Sequence, residues 1–153
     1  MTRPVLGLDV GERRVGVAVS DPDRRFALPL NSVDRKLGNE LQAIADVVRA
    51  DEVDELVVGL PLTLSGEHGA QAASAQAFAE DLKRYLSLPV HLWDERLSTR
   101  EAERLVLDEH RTGSSGHRRA ERSRVPAADT DALAASIILQ AYLDSRRSRT
   151  GDG

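Results

Sequence analysis

The chain has 153 residues, 41% of them apolar, enough for one buried core and too few for two sizeable ones. It has no cysteine, which excludes disulfides and thiolate metal sites and leaves oxygen or imidazole for any metal. The net charge is −4, which taken alone argues against a nucleic-acid binder.

The charge distribution is less discouraging. Lys36 and Lys83 are the only lysines, and Arg111, Arg118, Arg119, Arg122 and Arg124 crowd into one stretch with a single acid, Glu121. Arg146, Arg147 and Arg149 form a second group. A guanidinium is a fixed fork of donors that suits phosphate, although an arginine-biased solvated surface would look the same. No run is long and apolar enough to cross a membrane, and no signal peptide is visible, so no membrane association and a cytoplasmic location are expected.

Residues 5–10 read VLGLDV, a short buried strand with Asp9 near its end. Residues 14–20 read RVGVAVS, a second strand, and Gly11-Glu12-Arg13 between them is a tight turn, so the pair reads as a hairpin. Asp21-Pro22-Asp23 is a further turn. Residues 26–33 are expected to form a third, edge strand, because Pro29 suits an edge better than a central position. The pattern then changes to helix and strand in alternation. Leu37, Leu41, Ile44, Ala45 and Val48 recur at helical spacing. Residues 55–60, ELVVGL, form a buried strand ended by Pro61. A long alanine-rich helix is expected from about 67 to 86, with Phe78, Leu82, Tyr85 and Leu86 on its apolar face, and a strand over 90–93.

Ser98 and Glu101 have capping-box spacing and open a further predicted helix. The polar stretch 112–124 reads as a mobile loop. A last helix follows Pro126, with Asp129 or Thr130 as its cap, and residues beyond Ser145 read as a frayed tail. The expected architecture is α/β, a mixed five-stranded sheet of three antiparallel strands followed by parallel ones, with helices on both faces. One domain over 1–145 and a disordered arginine-bearing tail over 146–153 are expected.

Asp9, Glu95 and Asp131 are the candidate chemical residues. A carboxylate within an apolar strand is unusual unless paired or metal-bound, although Asp9 could simply bond the backbone of the turn. Glu95 follows a strand end, where open α/β sheets place ligands. A helix-dipole role suits Asp94 well and Glu95 less, since Ser98 already supplies the cap. Asp131 could be a plain helix-start residue, but Asp129 caps as well, and Asp131 shares a face with Ala134, Ala135 and Ile138, small enough to let the helix lie close to the sheet. Together the three offer hard oxygen ligands from three elements, the set that Mg²⁺ or Mn²⁺ takes, and two such ions can activate water and stabilise a phosphodiester leaving oxygen. His68, His91, His110 and His117 lack ligand spacing and read as surface or loop residues. Trp93 and Tyr85 read as core. Asp21 reads as a turn residue at the rim. Arg118, Arg119 and Arg122 are expected to contact phosphate from the loop.

Four segments in order, LDVGERRVGVAVSD (8–21), VVGLP (57–61), DERLST (94–99) and DALAASIILQAYL (131–143), resemble the landmarks of the YqgF/RuvX family of pre-16S rRNA nucleases and Holliday-junction resolvase-like proteins. The resemblance spans almost the whole chain. It implies an RNase H-like fold and catalytic, metal-binding acids at Asp9, Glu95 and Asp131. It also implies that Arg14 and the segment Arg96, Ser98 and Thr99 lie near the substrate. The expected activity is metal-dependent phosphodiester hydrolysis in 5′-end processing of pre-16S rRNA, with branched DNA as the alternative substrate. A nucleotide-binding ATPase, suggested by Asp9-Val10-Gly11 before a hairpin, needs two such domains, and a second such turn is missing. A non-catalytic nucleic-acid or ribosome-binding factor gains nothing from converging acids that repel phosphate. No oligomer interface is legible.

Overall fold

The structure, a computed structural model, describes residues 2–62, 69–97 and 130–150, with side chains to residue 147. Its strands are β1 (Val5–Val10), β2 (Arg14–Ser20), β3 (Ala27–Pro29), β4 (Val33–Asp34), β5 (Glu55–Leu60) and β6 (Val90–Asp94). Its helices are α1 (Glu40–Ala50), α2 (Ala70–Leu86) and α3 (Thr130–Thr150). The strands form one sheet in the order β3-β2-β1-β5-β6, with β4 also paired to β2. β1 and β2 are antiparallel, whereas β1–β5 and β5–β6 are parallel. The mixed sheet expected from the sequence is therefore present, with a two-residue sixth strand added.

Period-2 alternation sorts each strand between two layers. Leu6, Leu8 and Val10 of β1, Val15, Val17 and Val19 of β2, and Leu56, Val58 and Leu60 of β5 join the core under α1 and α2, where Ile44, Val48, Phe78 and Leu82 meet them. The other face carries Val5, Ala18 and Val57 and is covered by Ala135, Leu139, Tyr142 and Leu143 of α3. This face is built from small residues. A Cβ on Gly7 would stand 2.7 Å from the Cβ of Leu139, so the glycine lets α3 lie down on β1. Small-to-small contact of this kind brings helix and sheet backbones closer than the usual side-chain layer permits. Among the described residues helices thus cover both faces, two on one side and one on the other.

Several elements differ from expectation for identifiable reasons. The third strand is split: β3 pairs with the far end of β2 through Ala18, Val19 and Ser20, and β4 with its start through Arg14 and Val15. Pro29 ends β3 because it lacks the N–H a continuous ladder would need. The outward edge of β3 is sealed by one side chain: Gln140 of α3 accepts from the Ala27 N–H at 2.9 Å and donates to the Arg25 carbonyl at 2.9 Å. An amide that bonds a strand edge in both senses stands where a neighbouring strand would.

Leu37 is not on α1; it closes a short 3₁₀ turn ending at Gly38, whose φ is +71°, and is exposed. Tyr85 is also not core, since it is half exposed and donates to Gln42 at 2.6 Å. Residues 146–150, expected as a disordered tail, continue α3. The predicted helix after Ser98, the start of the alanine-rich helix at 67–68, and the arginine-rich stretch 112–124 lie outside the described residues. Among the described residues no helix is long and apolar enough to cross a membrane.

Candidate active site

Asp9 is the last residue but one of β1 and faces α3. Directly across the ladder it pairs with Gly16 of β2. On its other side Leu8 pairs with Val58, so the next row sets Asp9 beside Gly59 of β5, and Gly59 pairs in turn with Trp93 of β6. Asp9 therefore stands between two glycines on one row of the sheet, and each vacated Cβ position is filled by another candidate acid. A Cβ on Gly16 would fall 1.9 Å from the backbone carbonyl oxygen of Asp131, so the first turn of α3 rests on the bare backbone of β2. A Cβ on Gly59 would fall 3.2 Å from the carboxyl carbon of Glu95 and 2.7 Å from Ile138. Glu95 begins a 3₁₀ turn, Glu95–Leu97, at the end of β6. Two glycines and one strand-end aspartate thus let three elements bring their acids to the same corner.

The electrostatics follow from this crowding. Burial pushes the Asp9 carboxyl above its ordinary value, and the charge of Asp131 adds to the effect. Glu95 is pushed up to about 7, first by burial, then by the charges of Asp9 and of Asp94. Both shifts disfavour the ionised form, as expected for desolvated acids that face one another. Asp9 is the central member, since it acts on Glu95 and is acted on by Asp131.

The donor set fits a divalent ion in its chemistry, since all the side chains are hard carboxylates and a cation would favour the ionised forms that burial and mutual repulsion disfavour. It is not closed, however. Among the described residues no three His, Cys, Asp or Glu groups are gathered tightly enough to hold a metal ion.

Arg14 opens β2 at the mouth of this corner, and its Nε lies 3.5 Å from an Asp131 carboxylate oxygen, with both side chains well exposed. Arg96 points elsewhere: it grips Asp94 with Nε at 3.0 Å and a terminal nitrogen at 2.7 Å, while its backbone N–H donates to the same carboxylate. The Arg96 bonds hold Asp94 below the usual carboxylate range, so Asp94 fastens the 3₁₀ turn that presents Glu95. Asp21 is a turn residue: it accepts from the backbone N–H of Asp23, Arg25 and Phe26. Ser98, Thr99, Arg118, Arg119 and Arg122 lie outside the described residues.

His91 is not merely a surface residue. Its ring stacks on Tyr142 with centroids 6.0 Å apart, and its Nε2 lies 3.5 Å from Glu55. Tyr142 donates to the same Glu55 carboxylate, and Arg24 reaches it at 3.2 Å while bonding Asp54 at 2.8 Å. Trp93 packs edge-on against Tyr142. This second polar cluster, and the close approaches that Gly16 and Gly59 admit, were not anticipated from the sequence, although Gly59-Leu60-Pro61 reads there as a strand-to-loop turn beside the site. The glycines carried a signal: each is a strand residue with no side chain on the face shared with Asp9.

A family model described as "RuvX: Holliday junction resolvase" matches residues 3–145. Among curated relatives, a protein of Chloroflexus aurantiacus named "Putative pre-16S rRNA nuclease" is 46% identical over 147 residues, covering 94% of this chain and 88% of that protein. One of the same name from Roseiflexus sp. is 43% identical over 144 residues, covering 94% of this chain and 95% of its own length. Among solved structures, Thermus thermophilus RuvC in complex with a Holliday-junction substrate superposes with a TM-score of 0.57 at 16% identity, covering 97% of this chain and 96% of that one. That likeness establishes the RNase H-like fold. The identity and coverage of the relatives and the span of the family match establish descent: the chain belongs to the RuvX family.

Proposed function

We propose that this chain is a metal-dependent nuclease that hydrolyses phosphodiester bonds, with Asp9, Glu95 and Asp131 as its catalytic acids and precursor 16S rRNA as its substrate. The observation that carries the reading is the meeting of three acids from three elements around the glycine-flanked Asp9. A structural role explains none of the three jointly, because grouped acids cost stability unless something positive joins them. Family membership supplies the substrate class, and the relatives' names favour the 5′ end of precursor rRNA, met in the cytoplasm.

Asp9, Glu95 and Asp131 would hold Mg²⁺ or Mn²⁺, two ions being the usual complement for such acids. Bound there, the cations would supply a water activated at neutral pH and stabilisation for the leaving oxygen. The protein's own contribution is placement. β1 fixes Asp9, the Asp94-braced turn presents Glu95, and Gly16 sets the height of Asp131 above the sheet. Arg14 stands at the mouth, where it can meet a phosphate and position the strand without carrying out chemistry. Arg118, Arg119 and Arg122 are assigned to the same task.

A second reading, cleavage of branched DNA, is favoured by the family description. Symmetric cutting of a junction would need two such sites in a dimer. Side-by-side assays with Mg²⁺ or Mn²⁺ on a pre-16S rRNA 5′ precursor, single-stranded RNA and a four-way DNA junction separate the two. Preferential cleavage of the precursor supports the first reading, and preferential junction resolution overturns it. Asp9→Asn should reduce cleavage by roughly three decades, since metal-assisted charge stabilisation is worth several kcal/mol. The same variant should melt no lower than the parent chain without metal. A large loss of metal-free stability would instead assign Asp9 to the turn.

A further inference from the structure

We propose that Arg14 is a positioning residue that holds the Asp131 carboxylate in a metal-free arrangement and must release it before the three acids can share a cation. The inference rests on the acid site being a metal site and adds a control that the family assignment does not contain. Its first ground is that the acids are near one another and yet not closed into a metal-holding group, while one of them is engaged by a guanidinium.

The second ground is that the backbones on both sides are fixed, so only side-chain rotation can change partners. The carbonyl of Asp131 rests where a Gly16 Cβ would be, so α3 cannot move closer or slide across this row without leaving the sheet. The carbonyl of Arg14 accepts from the Gly11 N–H at 2.9 Å, and Arg14 pairs with Asp34 of β4. Between two such anchors Asp131 can turn toward Arg14 or toward Asp9.

The third ground is the looseness of the contact. Arg14 meets Asp131 with Nε at 3.5 Å, and the two side chains are 46% and 39% exposed. Arg96 and Arg35 nearby are committed in a different way. Arg96 grips Asp94 through two nitrogens, and Arg35 bonds Glu40 at 3.1 Å and the Gly11 carbonyl at 2.8 Å. A long, water-exposed ion pair is weak and exchangeable; the two-nitrogen grip of Arg96 on Asp94 is stronger. Arg14 is thus a guanidinium at the mouth that can be displaced at small cost. Once displaced, it faces the phosphate side of the site. Closure of the acids and grip on the substrate would then be linked, each favouring the other by the same factor.

The test is Mn²⁺ binding to the metal-free full chain by titration calorimetry, for the parent, Arg14→Gln, Arg14→Lys and Asp9→Asn, at low and high salt. Arg14→Gln should bind Mn²⁺ roughly two- to five-fold more tightly at low salt, the range for loss of one exposed ion pair. Arg14→Lys should return toward the parent affinity, and the gain should shrink at high salt as the pair is screened. The Arg14→Gln chain should also show a raised KM for nucleic acid, the opposite direction from its metal affinity. Equal or weaker Mn²⁺ affinity in Arg14→Gln, with the parent binding Mn²⁺ and Asp9→Asn losing it, overturns the proposal and leaves the metal site standing. Absence of Mn²⁺ uptake by the parent, or uptake indifferent to Asp9→Asn, overturns both.

Discussion

Glu55 and Asp9 project from the same face of the sheet toward the same helix, near opposite ends of two adjacent parallel strands, about 13 Å apart at four residues of rise. Around Glu55 every neighbour is a donor or a cation. Burial pushes its carboxyl up, but the Tyr142 hydroxyl and the charges of Arg24, His91 and Arg146 outweigh this and hold it below its ordinary value. Around Asp9 the neighbours are acids, and burial and repulsion act in the same direction. The Glu55 cluster ties β5, β6 and α3 into one block. The Asp9 corner works against the fold and is tolerated because that block is secure. The contrast teaches where to look for function. A half-buried acid held down by donors and cations is a brace, whereas acids pushed up by burial and by one another mark a place to look for a cation.

The largest effect that could sharpen this contrast should come from Gly16→Ala. The added Cβ would stand 1.9 Å from a backbone oxygen of Asp131, an overlap that no side-chain rotation relieves. α3 must lift at its first turn. We expect a loss of about 1–3 kcal/mol from overpacking, which for a chain of this length is roughly 3–10 °C in Tm. Cleavage should fall far more steeply than stability, because Asp131 is displaced while the Glu55 cluster at the other end of α3 keeps the helix docked. Equal loss of activity in a variant that melts normally at the working temperature would be expected only if the height of Asp131 matters. Full activity in Gly16→Ala would break the argument that this glycine sets it.

A smaller, purely structural effect is expected at the other end. Tyr142→Phe removes the hydroxyl that donates to Glu55 and leaves ring packing against His91 and Trp93 in place. Loss of one hydrogen bond to a buried carboxylate costs about 1–2 kcal/mol. Metal affinity and kcat should be unchanged below the melting range, as thermal melts and single-turnover assays would show. A fall in kcat without a fall in Tm would mean that the two corners are not separate.

The sequence made the two-layer sheet legible because its alternation is strong: VLGLDV and RVGVAVS assign every residue of β1 and β2 to a face. Asp9 is anomalous in an apolar strand, but Glu95 and Asp131 each have an ordinary helix-start reading, and it is the set of three together with the resemblance to the RuvX landmarks that marks them. What the sequence did not show were contacts between distant segments. Tyr142 and Glu55 are 87 positions apart, and nothing local marks either as a partner. Gly59 reads as part of a turn beside the site and Gly16 as a strand glycine, but what each admits is not legible because those atoms belong to other elements. Residues 146–150 read as tail because arginines and serines end the apolar periodicity, yet the helix carries on past Leu143, the last buried residue among those described.

The last prediction is the pH dependence of metal-free stability, where the two corners should have opposite signs. Glu95 has a folded-state value of about 7 against an ordinary 4.5. Between those values the folded chain holds a proton that the unfolded chain has lost, so stability falls as pH rises through this window. Glu55 is shifted downward, so its contribution is present above the ordinary value and is lost as pH drops through its depressed one. Without metal the chain should therefore be most stable near the ordinary carboxylate range and decline on both sides. Glu95→Gln should flatten the decline toward neutrality and leave the acid side intact. Asp9 keeps some slope in that variant, because its own carboxyl is also raised. Saturating Mn²⁺ should flatten the same limb in the parent chain by favouring the ionised acids. Melts in chelator across pH 4.5 to about 7 decide the matter. A stability that rises over that window, unaltered by Glu95→Gln, would mean that neither burial nor the neighbouring acids raise Glu95 in the folded chain.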